Sequence, residues 1–328
     1  MIISRTPFRI SFFGGGTDFP KWYKHNGGKT ISTTINKFSY ISSRKLPPFF
    51  KYKYRFRYHK KEEVIKISQI KHPSIRETLK YLKYSENFEL VHHADLPAQS
   101  GLGASSSFTV GLINTIYALQ GKRISKKNLA LTAIDIEQNK IKEGVGSQDQ
   151  IAAAFGGFNI TDYKKGSFEV KPVTAYSNIK KLEDSILLVF TGHPRMASII
   201  EKTKIKKINF NHKYYQQILN ITNQAEDKIY TSKNIVNDFA ELMDQYWWNK
   251  KKLSNEVTNK KIDNILKLGI KNGAKSGKLL GAGGGGFIMF LVDNKKKDKL
   301  IKAFENYIIV PIKFEKNGTQ IIYYQDLN

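Results

Sequence analysis

The 328-residue sequence contains no cysteine, which excludes disulfide bonds, thiolate nucleophiles and thiolate metal sites. It also lacks any uninterrupted apolar run near the ~18 residues that a membrane-spanning helix requires. The first seven residues, MIISRTP, have no apolar core of the kind found in secretory signal peptides. We therefore expect a cytoplasmic protein that does not enter a membrane.

Acidic residues are scarce. The chain has 28 Asp and Glu against 54 Lys and Arg, which gives a formal net charge of +26. One interpretation is a polyanionic partner such as a nucleic acid. The other is an A+T-rich coding sequence, which raises Lys, Asn and Ile together, and the low number of arginines (eight) agrees with it. We prefer the second interpretation and expect an anionic small molecule, not a nucleic acid, as the partner.

The length predicts two domains, since domains usually contain ~100–200 residues. Ser125 is a candidate N-cap for a helix that continues through Ile141. A short apolar strand over 185–192 opens the second half. Helical patterns then follow over 212–230, 234–251, 257–272 and 296–307, with a glycine loop between strands over 278–292 and two closing strands. No repeat or long linker separates the halves, which favours a tight interface with a cleft.

Residues 51–60 alternate strictly between basic and aromatic side chains (KYKYRFRYHK). Interleaved cations and rings are typical of single-stranded nucleic-acid binding. On one strand, however, the two sets point to opposite faces of the sheet. We therefore interpret the segment as a strand whose rings pack inward and whose basic residues face solvent.

Three glycine-rich segments are spread over the chain, at 14–16, 101–103 and 281–286. Each alone is weak evidence of a site. The chain has no G-x-x-x-x-G-K-[ST] motif, which excludes a Walker-type nucleotide site. It also lacks a G-x-G-x-x-G fingerprint after a strand, where a dinucleotide site would need one.

The second glycine segment lies in the stretch 97–107, PAQSGLGASSS, and an apolar helical pattern follows it. Glycines allow the backbone to approach a ligand closely and to adopt positive φ angles. The helix start behind them presents free N–H groups and the positive end of the helix dipole. The stretch therefore predicts a phosphate cradle.

Taken together and in this order, the three segments resemble the motifs of the GHMP small-molecule kinases, named for galactokinase, homoserine kinase, mevalonate kinase and phosphomevalonate kinase. The matching stretches are 6–18 (TPFRISFFGGGTD), 97–107 and 278–287 (KLLGAGGGGF), which extend over the whole chain. The resemblance implies an α+β, two-domain fold. It places a ribosomal protein S5 domain 2-like, ATP-binding domain over residues 1–182 and a ferredoxin-like domain over residues 183–328. It also implies an ATP-dependent kinase that uses Mg²⁺.

The same resemblance assigns roles to individual residues. It implies that one loop and the helix start behind it bind the ATP phosphates, through Pro97, Ser100, Gly101, Leu102, Gly103, Ala104, Ser105, Ser106 and Ser107. Ser105 matches the hydroxyl that ligates Mg²⁺, with a one-residue ambiguity in the serine run, and Glu137 matches the carboxylate that holds the same ion. Asp149 matches the catalytic base of the sugar-kinase branch. Arg9 matches a basic residue near the transferred phosphoryl group, and Asp18 a carboxylate that binds sugar hydroxyls.

Elementary chemistry agrees with the proposed metal site. Mg²⁺ prefers oxygen ligands and keeps several waters, so one carboxylate and one hydroxyl suffice from the protein. Glu137 lies in an otherwise apolar helical stretch, where a buried carboxylate is costly unless it meets a cation. The alternative is that Glu137 faces solvent beside Asp135.

The other candidates have structural alternatives as well. Asp149 could cap a loop, because Asp favours turns and helix starts. Arg9 could form a structural ion pair. Asp18 could cap a helix that begins at Phe19 and Pro20. The glycines of the third segment could simply let one loop pack under another.

The first segment also bears on the substrate. Galactokinases typically carry Glu-His where this chain has Gly15 and Gly16, which argues against galactose. Together with QDQ at 148–150 and AAAFGG at 152–157, the segment is most similar to the D-glycero-D-manno-heptose 7-phosphate kinases. This likeness implies phosphorylation of the anomeric hydroxyl of a sugar phosphate, for nucleotide-heptose and surface glycan synthesis. A fucokinase-like sugar 1-kinase, a mevalonate-pathway kinase and a non-catalytic sugar sensor are the alternatives.

The candidate acceptor-site residues are Asp18, Gly15, Gly16, Gly284 and Arg195. Arg195 follows the first strand of the second half, where a cleft is expected. A guanidinium fork matches the geometry of a phosphate group, so Arg195 is the candidate clamp for a phosphate on the acceptor. The alternative is an ordinary surface arginine. The oligomeric state is left open.

Overall fold

A computed structural model describes residues 1–192 and 197–325 of the protein. The described strands are β1 (Ile2–Phe13), β2 (Gly28–Lys45), β3 (Tyr54–Arg57), β4 (Lys61–Val64), β5 (Phe88–Ala94), β6 (Phe158–Lys164), β7 (Ser167–Pro172), β8 (Ile186–Phe190), β9 (Ala274–Leu279), β10 (Phe287–Val292), β11 (Ile309–Val310), β12 (Phe314–Glu315) and β13 (Gln320–Tyr324).

The described α-helices are α1 (Pro20–Asn26), α2 (Pro73–Tyr81), α3 (Ala104–Leu119), α4 (Lys126–Asp135), α5 (Gln148–Phe155), α6 (Tyr176–Ser185), α7 (Ala197–Lys206), α8 (His212–Thr231), α9 (Ile235–Lys252), α10 (Lys260–Lys271) and α11 (Asn294–Ala303). A short 3₁₀ turn covers Ile67–Gln69, and a π-helical turn covers Ile136–Lys140. No helix of the described residues has the length and apolar character needed to cross a bilayer.

The first sheet is built around two long antiparallel strands, β1 and β2. Its strand order is β13-β1-β2-β5-β3-β4; in addition, β6 and β12 pair with β2, and β7 pairs with β6. Residues 6–13 of β1 are all buried, because helices from both halves of the chain contact this strand. Helix α3 approaches it closely at Gly111, where a Cβ would lie 2.6 Å from Oγ1 of Thr6. This packing brings the end of β1 next to the start of α3.

The second sheet has the order β11-β8-β10-β9 and is antiparallel throughout. Every residue of β10 is buried, as expected for a strand covered on both faces. The mixture of helices and mainly antiparallel sheets agrees with the predicted α+β class. The last two strands return to the first sheet, where β13 pairs with β1 and β12 pairs with β2. The predicted division into residues 1–182 and 183–328 stays a prediction.

The helix expected from Ser125 through Ile141 is present. The Ser125 side chain accepts a hydrogen bond from the backbone N–H of Asn128 and so caps α4. After Asp135 the helix continues as the π-helical turn Ile136–Lys140, and Ile141 is the C-cap of that turn. Such turns are rare and frequently lie at functional sites. This one carries Glu137.

The alternating segment 51–60 forms strand β3 in its centre. Tyr54 and Phe56 are buried, which confirms the interpretation that the rings pack inward. Arg55 and Arg57 lie on the other face, paired with Glu89 and Glu63. Because these arginines have carboxylate partners, the strand does not present a free basic stripe.

Candidate active site

A cavity of about 270 Å³ lies where the three glycine-rich segments meet. Residues from 9–19, the loop 99–106, the π-helical turn and the start of α5 line it on the side of the first half. Residues from α7, α9, β9 and the third glycine segment line it from the second half. The cavity therefore lies where the two halves of the chain meet, as the cleft expected from the sequence requires.

The second and third glycine segments pack directly on each other. A Cβ at Gly281 would lie 2.5 Å from Cα of Gly101, and one at Gly286 would lie 2.3 Å from the Ser100 carbonyl oxygen. The backbone N–H of Phe287 donates to that carbonyl at 3.2 Å. These glycines are thus needed for close packing, which supports the structural alternative for the third segment.

The start of α3 has no capping side chain. Its N-cap, Gly103, has φ 76° and ψ 24°. The first intrahelical bond runs from the N–H of Ser107 to the carbonyl of Gly103. The N–H groups of Ala104, Ser105 and Ser106 have no acceptor within the part of the chain that the structure describes. Free N–H groups at a helix N-terminus attract phosphate.

Glu137 is buried beside this helix start, with only 1% of its surface exposed. Its Oε2 accepts hydrogen bonds from Oγ of Ser106 at 2.9 Å and from Nε2 of Gln150. Its Oε1 is buried and has no partner among the described residues. Burial raises the pKa of Glu137 to about 7, and the nearby charge of Glu143 adds to the effect. An unpartnered carboxylate oxygen in this position fits a cation.

The serine run points in three directions. Ser106 bonds to Glu137, and Ser107 donates to the carbonyl of Pro7 at 2.8 Å. Ser105 is exposed at the cavity edge. The hydroxyl next to the buried carboxylate is therefore that of Ser106, one residue beyond the predicted Ser105.

Arg9 and Asp149 form a bidentate ion pair on the cavity wall. Nε of Arg9 donates to Oδ1 of Asp149 at 2.7 Å, and its Nη2 donates to Oδ2 at 2.6 Å. The remaining Nη1 donates to the carbonyl of Gly101 at 2.7 Å. Asp149 lies in the first turn of α5, where the helix dipole favours a carboxylate. The ion pair predicted as the alternative for Arg9 is present, and it lines the cavity.

Asp18 is 2% exposed and does not cap α1, whose N-cap is Phe19. Its Oδ1 accepts from the backbone N–H of Gly16 at 2.7 Å, and its Oδ2 from that of Gln148 at 3.2 Å. A Cβ at Gly146 would lie 1.8 Å from Oδ2, so only glycine fits beside this carboxylate. Burial raises the pKa of Asp18, and the Asp149 charge adds to this. The carboxylate is thus held in place, and Asp18 is one of the residues that line the cavity.

Two family models match the chain. One described as GHMP kinases N terminal domain matches residues 70–157, and one described as GHMP kinases C terminal matches residues 232–309. A D-glycero-alpha-D-manno-heptose 7-phosphate kinase of Campylobacter jejuni is 31% identical, over 97% of this chain and 98% of its own length. This chain belongs to the GHMP kinase family. It is therefore an ATP-dependent kinase, as predicted from the sequence.

Other relatives agree with this assignment. The bifunctional fucokinase/GDP-fucose pyrophosphorylase of Arabidopsis thaliana is 28% identical over 64% of this chain and 20% of its own length. A solved D-glycero-D-manno-heptose 1-phosphate kinase from Bacteroides thetaiotaomicron matches with a TM-score of 0.80 at 22% identity, over 99% of this chain and 100% of that one. Lactococcus lactis galactokinase with galactose matches with a TM-score of 0.72 at 18% identity, over 97% and 94%. These structures confirm the predicted GHMP kinase fold.

The structure of this GHMP kinase brings most of the predicted site residues together. Arg9, Gly15, Gly16, Asp18, Ser100, Gly101, Gly103, Ala104, Ser105, Ser106, Glu137 and Asp149 all line the cavity. Leu102 and Ser107 are buried behind the loop, and Pro97 is exposed at its start. Gly284 does not line the cavity, because its N–H donates to the carbonyl of Val257. Arg195 lies outside the described residues.

The cavity of this GHMP kinase also contains a basic group to which the three motifs assign no role. Lys204, Lys250 and Lys278 line it together with Tyr246 and Glu201. The sequence contains a signal for two of these three lysines. Lys278 interrupts a buried strand, and Lys250 continues the apolar face of α9 one turn after Tyr246. A lysine at a core position is unusual enough to mark a site.

Proposed function

We propose that this GHMP kinase transfers the γ-phosphoryl group of ATP to the anomeric hydroxyl of a sugar phosphate. The acceptor is D-glycero-D-manno-heptose 7-phosphate, and the 1,7-bisphosphate feeds nucleotide-heptose and surface glycan synthesis. The observation that carries the proposal is the convergence of an open helix N-terminus, a buried unpartnered carboxylate oxygen and the Asp18 and Asp149 carboxylates on one cavity. The Campylobacter jejuni relative supports the heptose acceptor. A cytoplasmic location is part of the proposal, because ATP is available there.

The ATP phosphates bind at the start of α3. The free N–H groups of Ala104, Ser105 and Ser106 donate to phosphate oxygens, and the helix dipole favours the negative charge. Gly101 and Gly103, with φ 81° and 76°, expose the loop backbone to the phosphates. The third glycine segment packs against this loop.

Glu137 and Ser106 would hold Mg²⁺. When bound, the ion neutralises charge on the phosphate oxygens. Glu137 offers the unpartnered Oε1, and its pKa near 7 means that a cation readily favours the ionised form. No group of three His, Asp or Glu side chains that could hold a metal is found within the described ranges. Phosphate oxygens and waters would supply the other ligands, since Mg²⁺ usually keeps several waters and binds substrate phosphates.

The acceptor hydroxyl is directed by the two remaining carboxylates. Asp18 accepts hydrogen bonds from sugar hydroxyls, since two backbone N–H groups fix its orientation. The anomeric oxygen attacks the γ-phosphorus, the bond from that phosphorus to the ADP oxygen breaks, and the hydroxyl proton passes to Asp149. Arg9 holds the Asp149 carboxylate in place and lies close enough to oppose the negative charge of the transferred group.

A substrate panel tests the proposal. The protein is incubated with Mg-ATP and heptose 7-phosphate, unphosphorylated heptose, fucose, galactose or mevalonate, and ADP formation is measured. The product is identified by its phosphorus NMR spectrum. We expect turnover with heptose 7-phosphate and a new anomeric phosphate signal. Turnover of fucose without turnover of heptose 7-phosphate would overturn the heptose assignment in favour of a fucokinase-like activity, to which the Arabidopsis thaliana relative points.

A further inference from the structure

Three lysines from three elements of the second half line one cavity. Lys204 comes from α7, Lys250 from α9 and Lys278 from β9, and they are 4%, 6% and 1% exposed. Lysine is almost never buried to this degree without a counter-ion. We call these residues the lysine triad.

The triad is held by backbone carbonyls. Nζ of Lys250 donates to the carbonyls of Gly281 at 2.7 Å and of Leu279 at 3.3 Å. Nζ of Lys204 donates to the carbonyl of Ala282, and Nζ of Lys278 to that of Phe12. No Asp or Glu among the described residues forms an ion pair with these ammonium groups. Since each ammonium has three donors, each retains at least one for a ligand.

Burial of these charges is unfavourable in the free protein. It lowers the pKa of Lys250 and of Lys278 well below the usual value, and the neighbouring cations Lys204 and Arg9 add to the effect. Burial also lowers the pKa of Lys204 to about 8, although the charges of Glu201 and Asp18 oppose this shift. An anion that enters the triad relieves this penalty, because opposite charge favours the protonated form.

The position of the triad indicates which anion binds. The ATP phosphates are assigned to α3 and Glu137 in the first half, whereas the triad belongs to the second half. Nζ of Lys278 lies 4.3 Å from the ring centre of Tyr246, whose hydroxyl donates to the carbonyl of Gly15 at 3.3 Å. The charge of the nearby Asp18 carboxylate acts to raise the pKa of Lys204. Lys204 and Lys278 therefore lie near the segment 12–18, which the proposed function assigns to the acceptor.

We infer that Lys204, Lys250 and Lys278 bind the phosphate group that the acceptor already carries. The inference rests on the proposed function. A phosphomonoester dianion presents three oxygens, and three ammonium groups line the cavity that would receive it. The triad then has the role that was predicted for Arg195, which is to bind the phosphate on the acceptor.

The test compares the wild type with Lys204→Met and Lys250→Met, with Lys252→Met as the matched control. Lys252 lies on the same helix, but it is exposed. For each protein, kcat/KM is measured with heptose 7-phosphate and with unphosphorylated heptose, and their ratio gives the preference for the phosphate. We expect each triad variant to lower this ratio at least about tenfold, as loss of one charged hydrogen bond implies. Lys252→Met should keep the wild-type ratio.

An unchanged ratio in the triad variants, with a raised KM for ATP, would overturn the inference and assign the lysines to the transferred phosphoryl group. If the wild type turns over neither acceptor, the proposed function fails instead. Inorganic phosphate then tests the triad without the sugar. It should raise the Tm of the wild type and of Lys252→Met more than that of the double variant Lys204→Met/Lys250→Met, which keeps only the helix start of α3 as a phosphate site. Equal shifts in all three proteins would overturn the inference.

Discussion

Arg9 holds both carboxylate oxygens of Asp149, at 2.7 Å from Nε to Oδ1 and 2.6 Å from Nη2 to Oδ2. The same guanidinium donates to the carbonyl of Gly101, so one side chain connects the Asp149 carboxylate to the loop 99–106. Each Asp149 oxygen already accepts one hydrogen bond from Arg9. An incoming hydroxyl can therefore donate only to the lone pairs that Arg9 leaves free. The proposed base is thus positioned before the substrates bind.

We expect Asp149→Asn to lower kcat by at least ~10², because loss of a general base typically costs 10²–10⁴. ATP affinity, measured by calorimetry, should change little, since we propose that the ATP phosphates bind at α3 and not at Asp149. Asp162→Asn is the control, because Asp162 forms ion pairs with Lys29 and Lys171 and does not line the cavity. Near-normal turnover of Asp149→Asn would show that the proton is accepted elsewhere.

Ser106 and Ser105 can be distinguished as the metal-binding hydroxyl. Ser106 bonds to Glu137, whereas Ser105 is exposed. We expect Ser106→Ala to raise the Mg²⁺ concentration for half-maximal activity by roughly 10-fold or more, as loss of a group at a metal site does. Ser105→Ala should have little effect in the same titration. The opposite order of effects would favour the residue first predicted from the sequence.

Glu137 should make stability depend on pH in the metal-free protein. Its pKa is raised from 4.5 to about 7 in the folded state, so folding favours the protonated form. The stability that protonated Glu137 contributes is fully present below about pH 4.5, and it is lost as pH rises through about 7. The loss approaches about 3 kcal/mol for a shift of this size.

Urea unfolding of the wild type and Glu137→Gln, without Mg²⁺, at pH values from 5 to 8 measures this effect. The free energy of unfolding of Glu137→Gln minus that of the wild type should grow as pH rises to about 7. Added Mg²⁺ should stabilise the wild type more at pH 8 than at pH 5. A difference that does not change with pH would contradict the burial of a titrating carboxylate.

The contact between the glycine segments predicts a large effect of Gly281→Ala. Gly281 has φ 72°, and its Cβ would meet the backbone of Gly101 at 2.5 Å. Gly166 has a similar φ of 77° but open space around the Cβ position, so Gly166→Ala measures the cost of the dihedral angle alone. That cost is about 1–2 kcal/mol. We expect Gly281→Ala to be less stable than Gly166→Ala by a further ~1–3 kcal/mol in urea unfolding. Equal losses would show that the loops can move apart.

Local signals explain why much of the site could be predicted. The glycine–serine stretch indicates a loop before a helix, and the Ser125 cap indicates where α4 begins. Arg9, Asp18, Glu137 and Asp149 followed from resemblance to three ordered motifs, and all four line the cavity. In each case the information lies within a few residues of the motif.

The remaining features depend on contacts between distant segments. Which serine reaches Glu137 depends on how α3 is rotated relative to the π-helical turn, since neighbouring residues on a helix point about 100° apart. Gly284 is turned to Val257 by packing of the third loop, which no local pattern indicates.

The sequence by itself determined the family, the helix starts and the chemistry of the candidate side chains, because these follow from residue type and short-range order. Only the tertiary structure decided that Ser106 meets Glu137, and that Lys204, Lys250 and Lys278 converge on one cavity. Lysine is normally exposed, so its burial becomes visible only when α7, α9 and β9 are packed around the same space. Convergence of charges from separate elements is a property of packing, and packing is set by the whole chain.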